Sequence, residues 1–184
     1  MWPFTKPRDP FDEALKANLD KDFSVFAARD DAPKLKDIEA FEQWSGFRLP
    51  DDFRNYSCSK LGGIYVEVKD SVWPRAKKFE VGPFWTFLYG FFVYSFSPEC
   101  PPWMNIRLET EKFRAGSKTL YVPCLKVMGD PDIYCFDERG LVRRWNHETG
   151  EAVPEDKTFT QVFEHEFSEL KKRKVRKLAE TKTV

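Results

Sequence analysis

Ile133-Tyr134-Cys135-Phe136-Asp137-Glu138-Arg139-Gly140-Leu141-Val142-Arg143-Arg144-Trp145-Asn146-His147-Glu148 is the stretch that decides the fold. Two β-prone runs, Ile133 to Phe136 and Leu141 to Trp145, flank a turn in which Asp137 can open the reversal and Gly140 can take a positive φ. The pattern predicts a β-hairpin. Side chains alternate along a strand, so Ile133 and Cys135 share one face and Tyr134 and Phe136 the other, which makes both faces largely apolar. Such a hairpin belongs in the middle of a sheet, covered by helices from elsewhere in the chain.

Composition sets the bounds. A chain of 184 residues, 41% hydrophobic and 16% aromatic, is long and apolar enough for one domain with a substantial core. Its 30 basic and 30 acidic residues cancel, so net charge names no partner class, yet their placement is uneven. Ser168 to Val184 carries seven basic and two acidic residues, which leaves 23 basic and 28 acidic in residues 1–167. An acidic body with a basic tail suits solubility, or a basic partner. The four cysteines, Cys58, Cys100, Cys124 and Cys135, form no C-x-x-C pair, and charges follow Met1-Trp2-Pro3-Phe4 where a signal peptide would be apolar. A cytoplasmic protein with reduced thiols is the expectation. The longest apolar run, Phe84 to Phe96, is interrupted by Thr86, Gly90 and Ser95 and falls short of the roughly 20 residues a membrane helix needs, so no membrane segment is expected.

Working outward from the hairpin, Asp9-Pro10 reads as an N-cap and first-turn proline, with Phe11, Leu15, Leu19, Phe23 and Phe26 recurring at helical spacing. That predicts an N-terminal helical extension over 1–32. Asp30-Asp31-Ala32-Pro33 opens a second helix with Leu35, Ile38 and Phe41 on one stripe and Gly46 at its end, and Leu49-Pro50-Asp51-Asp52 starts a short third with Phe53 and Tyr56. Gly62-Gly63 breaks the chain before the strand-like Ile64 to Val68. The aromatic middle, Phe79 to Phe96, fits neither period cleanly and is assigned to strands with Gly90 as a bulge or bend. Trp103 to Phe113 reads as a helix with Trp103, Ile106 and Phe113 apolar, and Leu120 to Met128 as a strand with Pro123 at its start or on an edge. Thr158 with Gln161 forms a capping box for a last helix whose Phe159, Val162, Phe163, Phe167 and Leu170 share one face, with fraying expected beyond Lys177. The fold predicted is α+β: a single domain with a mixed or antiparallel sheet of about five or six strands, helices mainly on one side, and a long C-terminal helix.

Several of these motifs, in order, resemble one family. Ile38-Glu39-x-Phe41-Glu42, Gly46, Leu49-Pro50-x-Asp52-Phe53-Arg54-x-Tyr56 and Gly62-Gly63 are similar to the N-terminal signature of the SUKH superfamily, bacterial immunity proteins related to the fungal Smi/Knr cell-wall regulators. Gly129-Asp130, Ile133-Tyr134-Cys135-Phe136-Asp137, Gly140, Val142 and Trp145-x-His147-Glu148 resemble its C-terminal signature. The resemblance spans roughly 35–170 and divides the chain into an extension, 1–32, a SUKH-like domain, 33–170, and a basic tail, 171–184. It implies a binding protein that neutralises a cognate toxin, often a nuclease, with a regulatory or scaffold role without a toxin as the alternative.

No catalytic set converges in the sequence. His165 lies off the apolar stripe of its helix and has no H-E-x-x-H companion, so no metal ligation is assigned to it. Cys135 sits mid-strand among apolar neighbours, where a thiol's pKa rises, which argues against a dyad with His147. Neither a P-loop, a G-x-G-x-x-G nor a G-x-S-x-G occurs, so no cofactor is expected, and the tail's basic run has no interleaved aromatic to favour nucleic acid. The partner-binding candidates lie on loops near the hairpin: Asp130, Asp132, Asp137, Glu138, Trp145, His147 and Glu148. Asp137 and Glu138 are read as rim acids whose reversal to lysine slows association while leaving stability nearly unchanged.

Overall fold

The last helix shows how local signals become architecture. The Thr158 N–H donates to Gln161 Oε1 at 2.9 Å and the Gln161 N–H to Thr158 Oγ1 at 3.3 Å, the two halves of the capping box. The helix it starts, α5, runs Phe159–Thr181 in the computed structural model, which describes residues 9–27, 29–76 and 83–181. Phe159, Val162, Phe163, Phe167 and Leu170 are all buried along one stripe.

Beneath it lies a sheet of seven strands in chain order: β1 Phe23–Phe26, β2 Tyr65–Val68, β3 Gly90–Val93, β4 Val122–Val127, β5 Ile133–Phe136, β6 Val142–Trp145 and β7 Ala152–Pro154. Every neighbouring pair is antiparallel. The predicted hairpin is β5–β6, with Ile133 opposite Trp145 and Phe136 opposite Val142, and Gly140 at φ 74° in its turn.

The two faces follow from the register. Phe91 meets Phe163 and Phe167 of α5, and Phe136 meets Phe159, so these residues mark the face that α5 covers. The short helices α1, Pro10–Asn18, and α3, Asp51–Ser57, complete that layer through Phe11, Phe53 and Tyr56. Helix α2, Leu35–Ser45, joins the layer through Phe41 and ends at Gly46 in the left-handed region. On the opposite face, Trp145 meets Phe113 of α4, Ile106–Ser117. The layers are therefore those of the predicted α+β fold, with α4 on the second face.

Four corrections concern strands. The sheet has seven strands where five or six are expected, because Phe23 and Phe26, spaced like a helix stripe, are strand β1, and because the short β7 carries only Val153 between Ala152 and a proline. Within the aromatic middle, Phe84–Phe87 is a 3-10 turn and only Gly90–Val93 is strand; Phe79 lies outside the described residues. Gly90 is neither bulge nor bend. It stands in register with Glu67, where an added Cβ would lie 2.5 Å from the Val66 carbonyl oxygen. Pro123 sits inside a central strand, opposite Cys135, and is accommodated at a register shift between Pro123 and Leu125. The helix expected from Trp103 splits into a 3-10 turn, Pro102–Met104, and α4, which Asn105 caps by accepting from the Arg107 and Leu108 N–H groups.

The extension and the tail meet each other. Lys174 continues the 163, 167, 170 stripe of α5 and is buried, its ammonium held by Asp20 and by Asp22 at 3.0 Å and lying 4.7 Å from the Phe23 ring centroid. Lys171 donates to the Ala17 carbonyl at 2.9 Å. Helix α5 runs on past Lys177 to Thr181, beyond the point where fraying is expected. Lys174→Ala leaves Asp20 and Asp22 without their cation and is expected to cost about 2 kcal/mol in urea denaturation. A loss below about 0.5 kcal/mol would show that its desolvation cancels its pairing.

Candidate functional site

The sequence-nominated residues divide between the two ends of the β5–β6 hairpin. At one end, Arg144 Nη2 donates to Asp130 Oδ2 at 2.7 Å and its Nε reaches Asp132 Oδ2 at 3.4 Å, while Asp132 Oδ1 accepts the His147 N–H at 3.1 Å. From there a polar chain runs under α5: Arg144 lies over the Tyr134 ring, and the Tyr134 hydroxyl donates to buried Glu166 at 2.9 Å. Trp145 is half-buried between Phe113 and Tyr121, with ring centroids 5.5 Å and 6.5 Å away. Asp130 and Asp132 are thus tied to Arg144, and of the nominated residues at this end only His147 and Glu148 are exposed.

Asp137 and Glu138 lie at the other end, roughly 15 Å away at about 3.3 Å per strand residue. Asp137 is 3% exposed. One of its oxygens accepts from the Leu141 and Arg139 N–H groups at 2.9 and 3.0 Å, and the other from Arg143 Nε and Nη2 at 3.0 and 2.8 Å. Burial alone would raise its pKa, but the Leu141, Arg143 and Arg139 donors outweigh it and hold the carboxyl below its ordinary range. Asp137 therefore plugs the turn, and its carboxylate does not face solvent. Glu138 is exposed.

Cys135 is buried, its thiol pushed up to about 12 by desolvation and then by Asp137, so it stays protonated near neutrality. Among the described residues, no cluster of three or more His, Cys, Asp or Glu side chains is placed to hold a metal ion, and no helix is long and apolar enough to cross a membrane.

A different site emerges on the face away from α5. In Phe23-Ser24-Val25-Phe26, Phe23 and Val25 pair with Val68 and Val66 on the core face, which turns Phe26 to the outer one, opposite Tyr65. The two rings stack with centroids 6.0 Å apart and planes 18° from parallel. Trp103, delivered by the 3-10 turn before α4, stands nearly perpendicular to Tyr65 at 5.9 Å and to Phe92 at 4.9 Å. Phe26, Tyr65 and Trp103, with Met104, Pro101 and Cys100, line an open cleft of about 430 Å³. Its large rings are not sealed: Phe26 is 59% exposed and Trp103 44%.

The base of the cleft is tightly built. Gly63, in the turn before β2, takes φ +65°, and an added Cβ there would fall 2.4 Å from Ser95 Cβ, so only glycine lets the two chain segments approach at this point. Tyr65 is oriented from behind: its hydroxyl donates to Glu67 at 2.5 Å, and Arg75 pairs with Glu67 at 3.0 Å. Desolvation and then the Glu67 bond raise the phenol's pKa, so the ring stays neutral and electron-rich. Asp31 and Glu99 line the same cleft, and no lysine or arginine does so among the described residues. Neither carboxylate has an ion-pair partner among the described residues.

Sequence reasoning missed this site because Phe26, Tyr65 and Trp103 share no local spacing. The available signal was the phase of Phe26, an aromatic falling on the non-core side of an alternating four-residue strand. No protein-family model matches the chain, and no curated protein matches it.

Proposed function

We propose that this chain is a non-enzymatic binding protein of the immunity class, which neutralises a cognate bacterial toxin by covering part of its surface. The observation that carries the reading is the open cleft of Phe26, Tyr65 and Trp103. Exposed aromatic rings on a rigid sheet are what a protein-binding hot spot is made of, since they supply large contact area at low entropic cost. The resemblance of the ordered motifs, Ile38 to Gly63 and Gly129 to Glu148, supports the toxin as the kind of partner. The excess of acid in residues 1–167 favours a partner surface that is basic, as nuclease surfaces are where they meet phosphate. The mechanism is occlusion.

The test combines capture with protection. Wild-type chain is expected to capture the product of a neighbouring toxin gene and to restore growth when the two are co-expressed, and the double variant Phe26→Ala with Trp103→Ala to lose both while keeping its melting temperature within about 2 °C. Capture should slow as salt rises from 50 to 300 mM, since screening shortens the reach of the acidic surface. Binding without protection would move the assignment to the regulatory or scaffold role.

A further inference from the structure

We propose that the aromatic cleft takes an arginine side chain presented on the surface of the protein partner. The inference rests on the protein-binding reading above and deepens it by naming what enters the site. Three features select a cation. Aromatic faces attract positive charge through their quadrupoles, and Phe26, Tyr65 and Trp103 present two different plane orientations to one space. The Tyr65 hydroxyl stays protonated and donates a hydrogen bond to the Glu67 carboxylate, whose negative charge leaves the ring richer in electrons than an unpaired phenol. At the rim, Asp31 and Glu99 are carboxylates without an ion-pair partner among the described residues, and Lys34, which lines a neighbouring groove with them, pairs with neither.

Arginine fits better than lysine. A guanidinium is planar and weakly hydrated, so it can lie against the Phe26–Tyr65 stack or the Trp103 indole without losing a tight water shell. Its fork of N–H donors can still reach a carboxylate at the rim while its plane is stacked. An ammonium offers no plane, and its hydration is costly to strip in a cleft lined mainly by carbon. The methylene stem would lie along Pro101 and Met104, as long cationic side chains do on apolar surface.

The experiment is a ¹H–¹⁵N titration of the full chain with three capped tripeptides, Gly-Arg-Gly, Gly-Lys-Gly and Gly-Gln-Gly. Saturable shifts are expected at the Trp103 indole N–H and at the Tyr65 and Ser97 amides for the arginine peptide, with the lysine peptide about threefold weaker and the glutamine peptide inert. Trp103→Ala should weaken the arginine peptide by about tenfold. Asp31→Asn with Glu99→Gln, which leaves every ring in place, should weaken it by about threefold and abolish its salt dependence. Equal response to arginine and glutamine, lysine binding tighter than arginine, or no perturbation around Trp103 up to 20 mM peptide would each overturn the assignment. Because the peptides stand in for the partner, this experiment can fail while toxin capture succeeds, and capture can fail while the cleft still takes arginine.

Discussion

Phe163→Ala is expected to destabilise the protein by about 3–5 kcal/mol, the range for emptying a buried aromatic site. The ring has no exposure and sits where four elements converge: Phe11 from α1, Tyr56 from α3, Phe91 from β3, and Phe159 and Phe167 one turn away on α5 lie with centroids 5.1–6.3 Å from it. Few of these neighbours can collapse into the space, because each is itself pinned by a further ring, Tyr56 by Phe53 and Phe91 by Phe167. A protein of this size loses roughly 2–4 °C per kcal/mol, so the melting temperature should fall by about 6–20 °C. Urea denaturation with an unchanged slope is the check. A loss under about 1 kcal/mol would mean that α5 does not close the core through this residue.

The helix stripe that holds Phe163 was legible because its signals are local. A capping box spans three residues, and an apolar stripe repeats every three or four. The same holds for the hairpin turn at Asp137 to Gly140 and for Gly46 at the end of α2. Strand β1 was not legible, because two phenylalanines three apart, Phe23 and Phe26, serve a helix stripe and opposite faces of a strand equally well. Pairing with β2 decides between them, and β2 lies about forty residues downstream. Lys174 shows the reverse failure. Its charge marks it as tail, whereas its position on the α5 stripe and the acids at Asp20 and Asp22 bury it.

The sites divide along the same line. Loop acids are recognisable from their neighbours in sequence, but whether a carboxylate faces a partner depends on where the arginines go. Arg143 and Arg144, adjacent in β6, point to opposite faces of the sheet; one fills Asp137 and the other binds Asp130 and Asp132. Asp31 and Glu99, which no binding signal in the sequence marks, have no ion-pair partner among the described residues and lie beside exposed rings. Rigid aromatic surface assembled from residues 26, 65 and 103 exists only once the sheet has formed.

Asp137→Ala is the second substitution expected to have a large effect, about 3–5 kcal/mol, and it revises the expectation that charge changes at this turn leave stability alone. Removing the carboxylate strands the Leu141 and Arg139 N–H groups and leaves Arg143, with its side chain 15% exposed, as a cation without its partner. Asp137→Lys adds a second positive charge in the same space and should be at least as damaging. The pH dependence identifies the cause. The folded carboxyl titrates below its ordinary value of about 3.9, so its contribution is fully present above that value and is lost as pH falls through the lower folded one. The stability gap between wild type and Asp137→Ala should therefore be constant from pH 7 to about 5 and narrow as the pH approaches 2, followed by urea denaturation at each pH. Asp137→Asn, which can keep the Oδ1 acceptor without the charge, should lose less at pH 7 and show no such narrowing against Asp137→Ala. A wild-type gap that stays constant down to pH 2 would assign the turn to shape and hydrogen bonding and remove the Arg143 ion pair from the account. Glu138→Lys, on an exposed side chain next door, is then the substitution that asks whether this end of the hairpin meets a partner, because it changes surface charge while leaving the turn intact.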